Sequence, residues 1–139
     1  MPEKQRVSSS KEVKVRALSG TPTQLQSLVH EALDDMKAID VVALDVRHLT
    51  AITDAMYIAS GRSDRHVRAI ADELVERCEA AGIKPLGIEG MDGGEWVLID
   101  LSDVVVHVMI QRTRDFYDIE RLWDISRPAE DAAEPTPGD

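Results

Sequence analysis

The sequence predicts an α+β fold, a single domain with helices packed on one mixed β-sheet, and three observations lead there. The stretch Glu95–Trp123 holds two runs rich in Val, Ile and Leu, separated only by Ser102 and Asp103. That is a strand–turn–strand signal, and beyond Gln111 the pattern turns helical. Upstream segments complete the order α–β–β–α–β–β–β–α, which excludes a doubly wound fold because that needs strict βα alternation. The length, 139 residues, suits one domain with a modest core.

Each element has its own signal. Residues 1–20 show no sustained period and several Ser and Lys, so a mobile N-terminal arm is expected. Thr21 as N-cap, Pro22 and Gln24 read as a capping box. Leu25, Leu28, Val29, Ala32, Leu33 and Met36 follow at helical spacing up to Ala38–Asp40. Val41–Val46 and Ala55–Ser60 read as strands. A helix opening at Ser63 or Asp64 buries Val67, Ile70, Ala71, Leu74, Cys78 and Ala81, and Gly82 ends it. Lys84–Gly90 is a short strand broken by Pro and Gly. On the last helix Phe116, Ile119 and Trp123 form the stripe expected to pack inward. The domain spans 21–127, and 128–139 is expected to be a disordered acidic tail.

Net charge is −10. The body, 21–127, carries eleven basic and twenty acidic side chains. Such a surface repels phosphate backbones and suits a basic protein partner. There is no apolar run of membrane length and no signal-peptide pattern, so a soluble cytoplasmic protein without membrane contact is expected. The lone Cys78 cannot form an internal disulfide.

The chemistry-bearing residues are sparse. His30, His48, His66 and His107 do not pair at metal-ligand spacing, and no nucleophile elbow or phosphate-binding glycine motif occurs. Asp45, Asp100 and Asp103 invite comparison with a magnesium-dependent nucleotidyltransferase, but the triphosphate cradle is missing. Asp100 and Asp103 read more economically as turn residues bonding local amides. No catalytic residue, metal or cofactor is therefore expected. Alternation places Val97, Ile99 and Leu101 on the core face, and Trp96, Leu98 and Asp100 on the other. A tryptophan beside an acid is the makeup of a protein-interaction hot spot with a charged rim.

Five motifs carry a family resemblance: Ile52–Asp54, Ser63–Val67, Gly87–Gly90, Trp96–His107 and Arg114–Trp123. With them the chain from about Thr21 to Trp123 resembles the ribosomal silencing factors, the Iojap family. The resemblance implies a non-enzymatic translational repressor with a nucleotidyltransferase-like α/β core. Such a factor binds the large ribosomal subunit through the subunit's fourteenth protein and sterically blocks joining of the small subunit. It also implies a homodimer when free, and ribosomal RNA at the rim of the contact. By motif, Trp96 and Tyr117 match the partner-contact aromatics, and Asp100, Asp103 and Glu120 match acids for a basic surface. The contact extends to Leu98, His107 and Arg114. A large-subunit assembly factor is the alternative.

Overall fold

The computed structural model describes residues 13–16, as backbone, and 23–123. Six strands form one mixed sheet: β1 (Val13–Arg16), β2 (Ile39–Asp45), β3 (Ala55–Gly61), β4 (Gly87–Glu89), β5 (Trp96–Asp100) and β6 (Val104–Ile110). Their spatial order is β1-β2-β3-β6-β5-β4. β3 and β6 are parallel neighbours at the centre, while β5 pairs antiparallel with both β6 and β4. Among the described residues four helices accompany them: α1 (Gln24–Asp35), α2 (Asp64–Ala80), α3 (Gln111–Tyr117) and α4 (Ile119–Trp123). Among the described residues no helix is long and apolar enough to cross a membrane.

The two long helices cover one sheet face. α2 starts where Ser63 accepts the His66 amide and ends at Ala81, with Gly82 at φ 83° beyond it, as the glycine signal implied. Its stripe Val67, Ile70, Ala71, Leu74 and Cys78 is buried against Val97, Ile99, Leu101, Val104, Val106 and Val108. Each fully buried aliphatic side chain contributes ~1.5–3 kcal/mol, so this layer dominates stability. Burial also pushes the Cys78 thiol upward, away from the reactive thiolate. His66 ties the helix pair together: its Nδ1 accepts the Arg62 amide (2.9 Å) and its Nε2 bonds the Met36 carbonyl at the end of α1 (2.8 Å).

Four expectations are corrected. The cap of α1 is Thr23, in a reciprocal box with Gln26, two positions beyond the expected Thr21, which lies outside the described residues. α1 also stops earlier, at Asp35, because Lys37 turns left-handed (φ 59°) and the chain enters β2 at Ile39. Within the expected arm, Val13–Arg16 pairs in parallel with Val41–Leu44 as an edge strand. Backbone pairing gives that stretch a structure that four alternating residues do not announce. The expected last helix is two helices, because Asp118 adopts a left-handed conformation (φ 47°) and its amide bonds back to Arg114. The expected acidic tail lies outside the described residues.

Candidate functional site: an aromatic and acidic surface at the hairpin

The second sheet face is built by the other half of the same alternation. Val42, Leu44, Val46, Met56, Ile58 and Met109 form a separate apolar cluster, with Trp96 and Ile119 packed against it. Trp96 opposes Met109, Leu98 opposes His107 and Asp100 opposes Val105. Side chains two apart share a face, so Trp96, Leu98 and Asp100 stand together over roughly 13 Å of strand.

Trp96 is half-buried. Its indole N–H donates to His107 Nδ1 at 2.9 Å. Its ring lies 4.9 Å from Tyr117, tilted by 50°, and Phe116 stands edge-on to Tyr117 at 4.9 Å. Tyr117 is 53% and Phe116 79% exposed. The three rings form a ladder that begins in the sheet and ends in solvent. Phe116 therefore corrects the expected inward stripe. The short α3 is anchored instead by Thr113 and Arg114, which are buried, and this turns Phe116 outward. The Trp123 side chain lies outside the described residues.

Gly90 explains why the Gly87–Gly90 motif belongs to this site. Its φ is +89°, and a Cβ there would stand 2.0 Å from the Trp96 carbonyl oxygen. Only glycine lets the chain pass Trp96 this closely.

The polar members separate into surface and support. Asp103 is exposed at the turn, with its carbonyl accepting the Asp54 and Ala55 amides. Asp100 accepts the Ser102 amide at 2.9 Å, as a turn residue should. Arg114, assigned to the partner contact from the sequence, is 6% exposed. Its guanidinium donates to Ser60 Oγ (2.8 Å), Glu120 (2.9 Å) and the Ile39 carbonyl (3.5 Å). Those bonds fasten α3 and α4 to the sheet, and Arg114 lines a cavity with Asp40, Asp118 and Glu120. Glu120, half-buried, is engaged in the same pair. His107 is likewise covered, and burial lowers its pKa to about 4. Leu98 is half-buried beside it. Sequence reasoning missed the exposed Phe116 and, in the loop before β3, Leu49 and Ile52. Phe116 and Ile52 lie in two of the motifs, which could have pointed to them; Leu49 has no signal beyond an apolar residue in a polar context.

The three aspartates do not assemble. Asp45 is held by Arg47, whose guanidinium keeps the carboxyl below the usual carboxylate range. Among the described residues no three His, Cys, Asp or Glu side chains gather as a metal ion would require.

The family model described as ribosomal silencing factor during starvation matches residues 19–138. The chain belongs to the ribosomal silencing factor family. A ribosomal silencing factor of Chromobacterium violaceum is 44% identical over 106 residues, covering 76% of this chain and 87% of that one. One from Bacillus subtilis is 42% identical over 92 residues, 66% of this chain and 78% of its own. The crystal structure of a C. violaceum protein superposes with a TM-score of 0.73 at 42% identity, covering 78% of this chain and 91% of that one. More distantly, a mouse protein named for mitochondrial assembly of the ribosomal large subunit is 32% identical, over 73% of this chain and 48% of its own length. Motif and geometry thus coincide in this silencing-factor chain: Gly90, Trp96 and Tyr117 lie in the motifs and together at the ladder.

Proposed function

We propose that this chain is a cytoplasmic, non-enzymatic translational repressor. It binds the large ribosomal subunit through that subunit's fourteenth protein and keeps the small subunit from joining. One observation carries the reading: the Trp96–Tyr117–Phe116 ladder runs from a half-buried indole to two exposed rings on an acidic body, with Asp100 at the end of its strand and Asp103 in the turn beyond. Large rigid aromatics supply contact area at little entropic cost, and an acidic rim favours a basic protein face while keeping ribosomal RNA at its edge. The family expectation of a homodimer in the free state is part of the same proposal.

The test is co-sedimentation with purified large subunits, alongside light scattering on mixing the two subunits. The native chain is expected to co-sediment and to suppress joining. Replacing both Phe116 and Tyr117 by Ala should weaken association ~30-fold or more without unfolding, since both rings are mostly exposed. Association at full strength by the double variant would remove the ladder from the contact. The name of the mouse relative favours a second reading, an assembly factor on the same subunit. Under that reading deletion of the protein leaves immature large subunits, whereas a repressor leaves them mature and over-engaged in starvation.

A further inference from the structure

We propose that His107 is a positioning residue: it accepts the Trp96 indole N–H, sets the angle at which Trp96 supports Tyr117, and touches no partner itself. The proposal rests on the docking role given above to the aromatic ladder.

The geometry is a diagonal cross-strand contact. Trp96 faces Met109 directly and His107 faces Leu98, so the indole reaches two positions along the strand pairing to place Nε1 2.9 Å from Nδ1. The two rings lie 5.9 Å apart at 50°. His107 is 6% exposed, and its neighbour on the other side, Ile58, is fully buried. With so little of it exposed, the imidazole offers a partner almost no surface. All other residues of β6 are aliphatic or Met. A leucine at position 107 would fill that space without the desolvation cost of a buried imidazole. What leucine lacks is an acceptor for the indole N–H. The acceptor requires the neutral tautomer protonated at Nε2, because imidazolium presents N–H at both nitrogens. Burial, which holds the pKa near 4, keeps the ring neutral at neutral pH, and the indole N–H donated to Nδ1 selects the tautomer. Fixed at one end by this bond and at its face by Tyr117, the indole has lost its rotamer freedom before a partner arrives. That is preorganisation, and it strengthens association without any new contact.

The experiment uses the full chain with Trp123→Phe, so that Trp96 is the only indole. Three quantities are read: the indole N–H proton resonance with its solvent exchange, association with purified large subunits, and a denaturation curve. His107→Leu removes the acceptor at similar volume. Indole exchange should accelerate about 10-fold and association should weaken about 3- to 10-fold per folded molecule. His107→Asn puts Oδ1 where Nδ1 stood and should restore both. In a Trp96→Phe background, His107→Leu should change association no further. An equal loss in both backgrounds means that His107 contacts the partner, and overturns the proposal. Should the Leu variant not fold, Trp96→Phe alone removes the donor and is expected to weaken association similarly; full-strength association by that variant overturns the proposal too. If the native chain does not associate with large subunits, the docking role fails. The indole signal still decides this inference then, because unchanged exchange in His107→Leu would refute it.

Discussion

The two faces of the sheet are written by the same strands and solve different problems. Under α1 and α2, the residues Val97, Ile99, Val106 and Val108 are all fully buried, and the Tyr57 hydroxyl is bonded to His30 Nε2 at 2.6 Å. That face is closed. On the other, the apolar cluster ends at a half-covered tryptophan, beyond which lie two exposed rings and a line of acids. Alternation alone makes neighbours in sequence belong to opposite faces: Ile99 holds the closed core, and Leu98, one residue away, stands on the face of the aromatic ladder.

The sharpest way to break the comparison is to truncate those two. Ile99→Ala should cost ~2–5 kcal/mol of folding stability, by denaturant titration, and leave association of the folded fraction unchanged. Leu98→Ala, half-exposed, should cost ~1 kcal/mol or less in the same titration and show its main effect in subunit co-sedimentation. Equal stability losses would mean that both faces are core.

Acid tests the faces together. His107 titrates at about 4 in the fold against 6.5 in the unfolded chain. The unfolded state therefore takes up the proton first as pH falls. The contribution of His107 is fully present above pH 6.5 and is lost on the way down to about 4, amounting to ~3 kcal/mol. His30, lowered chiefly by burial, acts in the same direction from the closed face. Unfolding midpoints measured from pH 7 to 4 should fall steeply, and His107→Leu should flatten part of that slope. An unchanged slope would leave His30 and the carboxylates as its cause.

The smallest effect belongs to the rim. Asp103→Lys should move stability by no more than ~0.5 kcal/mol, because the side chain is exposed. It should weaken association several-fold at low salt, with the difference shrinking as salt rises. A salt-independent loss would place Asp103 at the buried centre of the contact.

Much of this was readable from the chain. The period-2 split of Trp96–Leu101 identified both faces, and the Ser63 cap, the apolar stripe and Gly82 located α2, because each is a local signal. What escaped was decided elsewhere. Val13–Arg16 becomes a strand only through its pairing with Val41–Leu44. Phe116 points outward because Thr113 and Arg114 are the buried residues of α3, a helix that Asp118 ends after Tyr117. Arg114, which the motif places in the partner contact, is buried because Ser60 and Glu120, distant or off-register in sequence, receive it.

The parallel pairing of β3 with β6 also sets an order of events during synthesis. Ala55 lies beside Val104, 49 positions later in the chain. Until β6 has been made, β3 has a bare edge at what will be the middle of the sheet. His107, Trp96 and Tyr117 all belong to segments made after α2. A nascent chain, or one cut short before Val104, lacks both the strand that closes the sheet and the imidazole that holds Trp96. The aromatic ladder is thus assembled only once the segments after α2 have been made, and under the proposed docking role a copy lacking them could not occupy the partner's surface.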